Sequence, residues 1–222
     1  MVVLHGYAMR PSTYTGLVRV LAERCTVYVP DLFAVRGRWR AADVVAGLSE
    51  ALDEFGVERA TFVGHSFGGG IELAFAAGAP ERVVELVFSD TLAASSEWGL
   101  AREALRHPAR LVQLATPLAI TSFARSWARY PHQLASAAWW AFTSGRDADS
   151  ASVAAAGVPA HVLWANRDSI LSRSDGRRFA AELDATFTVA RDDQVLDHDW
   201  MFQQPSIFVE HLERLGLHAL TA

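Results

Sequence analysis

Cysteine is nearly absent: Cys25 is the only one in 222 residues. No internal disulfide is possible, and the fold does not depend on an oxidising compartment. Long apolar runs are missing as well. The most apolar tract, Leu134 to Phe142, falls well short of the ~18 residues that a membrane span requires. No dense block of basic residues occurs and the formal net charge is -5, which excludes the electrostatic footprint of a nucleic-acid binder. Met1 to Tyr7 carry neither a basic stretch nor a long apolar one. That reads as no signal peptide and, by default, a cytoplasmic chain. Neither internal repeats nor a low-complexity linker divides the sequence. The length fits one domain with room for an insertion.

Core material is ample, with 51% hydrophobic residues. Short apolar runs alternate with amphipathic ones. Val2 to Leu4, Thr26 to Val29, Thr61 to Val63, Val83 to Phe88, His161 to Trp164 and Phe187 to Val189 read as six strands. Helical spacing links Tyr14, Leu17, Val18 and Leu21, then Val45, Leu48, Leu52 and Phe55, and lastly Ile207, Phe208, Leu212 and Leu215. Further helices are expected from Ser66 to about Gly78 and around Arg177 to Leu183. This alternation predicts an α/β fold, a mostly parallel sheet covered on both faces. Between Ala93 and Gly157 the alternation breaks. That stretch is rich in Ala, Leu, Arg and Trp, and Pro108, Pro117 and Pro131 cut it into helix-length pieces. It reads as a helical insertion over the C-terminal edge of the sheet, where open α/β folds bind ligands. The expected division is a core of residues 1–92 and 158–222 and a helical cap of residues 93–157.

The most informative residues are Gly64-His65-Ser66-Phe67-Gly68, with an apolar run before them and a helix-like run behind. A serine hydroxyl is a poor nucleophile unless it is lifted from the backbone beside a base. A sharp strand-to-helix turn does this, and crowding two residues to either side calls for glycine at 64 and 68. The helix that follows points its free N–H groups at the same place.

An activated serine needs a base, and the base needs an orienting acid. Of eight histidines, His198 is the best placed, in a loop between the last strand and the terminal helix. Asp168 follows the strand that ends at Trp164 and is the expected acid. Asp90, after Val87-Phe88-Ser89, competes with it. Asp197 and Asp199 flank the histidine too closely to bridge its far ring nitrogen. Backbone donors for an oxyanion are expected at Phe67, just after the serine, and at Tyr7 in the His5-Gly6-Tyr7 turn.

With these parts in place, the chain resembles the α/β-hydrolase superfamily, in its form with a helical cap. The resemblance covers nearly the whole chain. It rests on the His5-Gly6 turn, the elbow at Gly64 to Gly69, the strand and acid from Trp164 to Asp168, and His198 to Trp200. It implies a serine hydrolase acting on a carboxylic ester or thioester without metal or organic cofactor, the partner being a small-molecule substrate. A C–C bond hydrolase or lyase with the same triad is the alternative, as is a weakly active ligand-binding relative. Trp127, Trp139 and Trp140 in the insertion are expected to form an apolar substrate wall. Two departures stand out. The family has one or two strands before the His-Gly turn, whereas this chain begins inside that strand. It is either a minimal version or starts further upstream. A bare sheet edge and a possible homodimer are then expected. The loop Leu32 to Arg40 is rebuilt, with three arginines that read as solvated surface or as a contact to an anionic substrate.

Overall fold

The computed structural model describes residues 1–94, 116–144, 146–191 and 193–220. Part of the expected cap, including Pro108, lies outside the described residues. Five strands form one sheet: β1 (Val2–Leu4), β2 (Ala60–His65), β3 (Val83–Ser89), β4 (Ala160–Trp164) and β5 (Thr186–Val189). All neighbours are parallel, and the spatial order is the chain order. Parallel neighbours need crossovers, and helices supply them.

Successive strand residues point to opposite faces, so the near-continuous apolar runs feed two cores. Val3, Val63, Val87 and Leu163 join Leu17 and Leu21 of α1 (Thr15–Leu21) on one face. The terminal helix α9 (Pro205–Leu215) adds Phe208 and Leu212 there. On the other face, Leu4, Phe62, Phe88 and Val162 meet Leu48 of α2 (Ala41–Glu54) and Ile71 and Phe75 of α3 (Phe67–Gly78). Phe179 of α7 (Arg173–Glu182) completes that layer. The connection leaving β1 therefore lies on one face and the connection entering β2 on the other. That reversal is the switch point at which open α/β sheets bind ligands.

The second expected strand is much reduced. Residues 26–29 contribute a single bridge, Val2 with Tyr28, in which the Val3 N–H donates to the Tyr28 carbonyl at 2.8 Å and the Tyr28 N–H to the Met1 carbonyl at 2.9 Å. Pro30, which has no N–H to extend the ladder, follows at once. Among the described residues this segment is the outermost on that side of the sheet and meets β1 through this one bridge. Phe55 also departs from expectation. Helix α2 ends at Glu54, and Phe55 is 58% exposed, stacked on Tyr28 with ring centres 5.0 Å apart.

Between β3 and β4 the described residues form α4 (Pro117–Arg129), α5 (Pro131–Thr143) and α6 (Asp147–Ala156). Pro117 and Pro131 each open a helix, where the missing N–H costs nothing. These helices are tied to loops at the C-terminal ends of the strands. Tyr7 Oη donates to the Leu134 carbonyl at 3.0 Å, and the Arg10 N–H to Ser122 Oγ at 3.0 Å. Tyr130 Oη donates to Asp31 at 3.2 Å, and Gln133 Nε2 to the Gly37 carbonyl at 3.2 Å. In the rebuilt loop Trp39 is buried, with its indole N–H on the Leu32 carbonyl, while Arg36, Arg38 and Arg40 are exposed. Among the described residues no helix is long and apolar enough to cross a membrane. A short 4-residue helix, α8 (Trp200–Gln203), precedes α9.

The tightest joint is where α3 meets β1. A Cβ at Gly68 would overlap the Leu4 carbonyl oxygen, which is backbone and cannot swing away. Gly68→Ala is expected to lower stability by roughly 1–3 kcal/mol. For a chain of this size that corresponds to a fall in Tm of about 2–4 °C per kcal/mol. Thermal unfolding checks it, and an unchanged Tm would contradict this account of the joint.

Candidate active site

Ser66 stands between the end of β2 and the start of α3 at φ 51° and ψ -114°. A side chain in that region is strained, and the surrounding packing has to enforce it. Gly64 and Gly68 are the enforcers. A Cβ at Gly64 would overlap the carboxyl of Glu72 and the backbone of Gly69, and one at Gly68 would overlap Leu4. Glu72 is fully buried beneath the turn and accepts the Val87 N–H at 3.1 Å. Burial holds its carboxyl well above the usual carboxylate range. Ala8 and Asp90 also have positive φ, so strained residues follow β1, β2 and β3 at the same end of the sheet.

His198 comes to this serine from 132 residues away. Its Nε2 lies 2.9 Å from Ser66 Oγ, and its Nδ1 lies 3.0 Å from Asp168 Oδ2. The other carboxylate oxygen of Asp168 accepts the N–H groups of Ile170 and Leu171 at 2.7 and 2.8 Å. Burial opposes its charged form, but the charge of His198 and the three donors outweigh that and hold it below its ordinary value. Burial alone would lower the His198 imidazolium. The charges of Asp168, Asp199 and Asp90 outweigh that, and it is pushed up to about 9.

The loops that carry these residues are fastened to each other. The Asp197 carboxylate accepts the Ser169 N–H at 2.8 Å and the His198 N–H at 2.7 Å, linking the acid loop to the histidine loop. Asp90, the rival acid, does not bond the imidazole. It accepts the Ala165 N–H and the Trp200 indole N–H, each at 2.7 Å, and braces the ends of β3 and β4 against the residues just after His198. Desolvation raises it well above its ordinary value.

A second set of bonds holds the histidine backbone. His65 Nε2 donates to the His198 carbonyl at 2.9 Å, which leaves Nδ1 to accept from Tyr14 Oη at 2.7 Å. Tyr14 Oη in turn accepts the Gly6 N–H at 3.0 Å. Burial lowers His65 to about 3, as this single tautomer requires. The Gly6 N–H is taken up by Tyr14, whereas the next N–H in the turn, that of Tyr7, has no acceptor among the described residues. Phe67 opens α3, so its N–H is among the orphan donors of a helix start. His65, Tyr14 and Asp197 were not singled out as supports in the sequence, because nothing local to each marks its partner.

The three tryptophans expected in the wall sit in different surroundings. The Trp140 ring packs 5.5 Å from Phe67 and 5.5 Å from Trp39, and Phe67 also meets Tyr7 and Phe33. Trp139 is 61% exposed, since successive helical residues diverge by about 100°. Trp127 lies on α4 and is 36% exposed. Ligand-type atoms of His65, His198 and Asp199 lie within 4.8 Å of one another. Both ring nitrogens of each histidine are already bonded, so this group is a poor fit for a metal ion.

Comparison with known proteins agrees with this architecture. An esterase from Thermogutta terrifontis matches with TM-score 0.77 over 99% of this chain and 90% of its own, at 18% identity. A meta-cleavage product hydrolase from Pseudomonas fluorescens matches with TM-score 0.69 over 96% and 90%, at 19% identity. At such identities the likeness is one of fold. By sequence, a protein of Mycobacterium bovis is 33% identical over 93 residues, which are 39% of this chain and 27% of that protein. The chain thus spans about a quarter of the length of the mycobacterial relative. The α/β-hydrolase fold family matches residues 1–201, and the chain belongs to that family.

Proposed function

We propose that this chain is a serine hydrolase that cleaves a carboxylic ester or thioester carrying a small to medium apolar group. The observation that carries the reading is the continuous bonding from Ser66 Oγ to His198 to Asp168, at 2.9 and 3.0 Å, on a serine held at positive φ. Ser66 Oγ attacks the carbonyl carbon while His198 Nε2 takes its proton. Asp168 keeps the Nδ1–H in place and stabilises the imidazolium. The negative charge on the carbonyl oxygen falls to the N–H groups of Phe67 and Tyr7, each worth roughly 3–4 kcal/mol in such a role. His198 then protonates the leaving alcohol or thiol. Water, deprotonated by the same ring, cleaves the acyl-enzyme. The helices within residues 93–157 act as the cap. Trp140, against Phe67, is the cap residue we assign to the acyl wall.

Ser66→Ala is expected to remove turnover of a p-nitrophenyl acyl ester by a factor on the order of 10⁶, with the fold retained. The wild type should be labelled by a fluorophosphonate and the variant should not. Asp168→Asn should lose most activity, because the wrong tautomer is then favoured. Asp90→Asn should act chiefly on stability. Activity in Asp168→Asn comparable to wild type would remove the acid assignment. Unlabelled wild-type protein would favour a binding protein without turnover, and labelling without ester cleavage would favour C–C bond chemistry.

Chain-length preference tests the wall. Medium-chain esters should have higher kcat/KM than acetyl esters, because an aromatic ring buries roughly 150–250 Å². Trp140→Ala should flatten this preference and leave acetyl turnover largely intact, whereas Trp139→Ala should change little. A wild-type preference for acetyl esters would make Trp140 a cap anchor only.

A further inference from the structure

The mechanism above places one carboxylate on the imidazole, yet a second lies beside it. Asp199 follows His198 directly and is 6% exposed. Its backbone carbonyl is fixed by the N–H groups of Phe202 and Gln203 at 3.2 and 3.1 Å. Its carboxylate takes no hydrogen bond; only burial and neighbouring charges act on it. Its oxygens are not sealed from solvent, but a carboxylate this little exposed and without a protein donor still calls for a reason.

Its surroundings supply one. On its own loop are Asp197 and His198. From β2 comes His65, from the turn after β1 Tyr14, and from the loop after β4 Asp168. Tyr14 is held neutral by burial, and so is His65. The other acids repel it. Among the described groups that act on it, the cation is the imidazolium of His198, one of whose ring nitrogens lies within 4.8 Å of an Asp199 oxygen. Both nitrogens of that ring already have partners, so Asp199 acts on it as a charge and not as an acceptor.

We propose that Asp199 is a positioning residue of the site: its carboxylate, set beside the His198 ring, stabilises the imidazolium through space. This rests on the reading of His198 as the base. Asp168 fixes the orientation of the ring by a bond, and Asp199 adds charge without one. The direction of the linkage is definite. Burial pushes Asp199 up to about 6 and repulsion from Asp197 and Asp168 adds to it, although His198 opposes the rise. Above that pH a negative charge faces His198 and raises it, in line with its value of about 9. The free base that Ser66 requires then forms only as pH climbs toward that value. A base of this kind holds its proton firmly once it has taken it, at the expense of activity near neutrality.

Titration of the His198 ring by NMR tests the proposal without reference to turnover. In the wild type the main inflection is expected near about pH 9, with a smaller one near about pH 6 as Asp199 ionises. In Asp199→Asn the lower inflection should vanish and the main midpoint should fall by about one unit or more. The rising limb of kcat/KM should move to lower pH with it. A lowered Tm with an unmoved midpoint would make Asp199 merely structural and overturn the proposal. Should Asp199→Asn fail to fold, the wild-type curve decides, and absence of the lower inflection overturns it. A shifted midpoint in a protein that cleaves no ester would uphold the coupling while removing the hydrolase reading.

Discussion

The contact of Gly68 with the Leu4 carbonyl is the constraint on which the site depends. It seats the first turn of α3 on the end of β1, so the chain must turn sharply at Ser66 to leave β2. The strain at Ser66 is therefore imposed from both sides, by β1 beneath α3 and by Glu72 beneath Gly64. The same seating leaves the N–H of Phe67 at the open start of a 12-residue helix, beside the serine. Backbone strain and electrostatic preorganisation come from one packing event. A loose turn would provide neither.

Around this joint the charges are arranged by bonding as much as by proximity. Four aspartates lie near one imidazole, and each is distinguished by its donors. Asp168 has two backbone N–H groups and the ring itself, and stays ionised. Asp197 is spent on the N–H groups of Ser169 and His198. Asp90 braces β4 and Trp200 from full burial. Asp199 has no donor and is left as a bare charge. The chemical letter is the same in all four, so only the donor set separates an orienting acid from a brace or a charge.

Backbone support is equally specific. The path from the Gly6 N–H through Tyr14 and His65 to the His198 carbonyl spans three loops. It fixes the tautomer of a neutral histidine whose ring bonds neither the Ser66 hydroxyl nor the Asp168 carboxylate. The aromatic residues Tyr7, Phe33, Trp39 and Trp140 converge on Phe67, so the residue after the serine is held both by its ring and by its helix.

Much of this was legible in the sequence because it is local. Alternation of apolar runs sets strands and crossover helices, and the glycines around Ser66 set the elbow within five residues. The order Ser66, Asp168, His198 matches the one that the resemblance to the α/β-hydrolase family implies. Residues 26–29 misled in extent, since β-branched composition cannot say that Pro30 will cut pairing to one bridge. What the tertiary structure decided is which distant groups meet. Asp168 and Asp90 both follow strands, and only the placement of the histidine loop puts one on the ring and the other under Trp200. Trp139 and Trp140 are neighbours in sequence, yet helix rotation sends them different ways. Tyr14, His65 and Asp199 carry no local mark of their roles. A side chain's partner 50 or 130 residues away is fixed by packing, and no spacing along the chain encodes it.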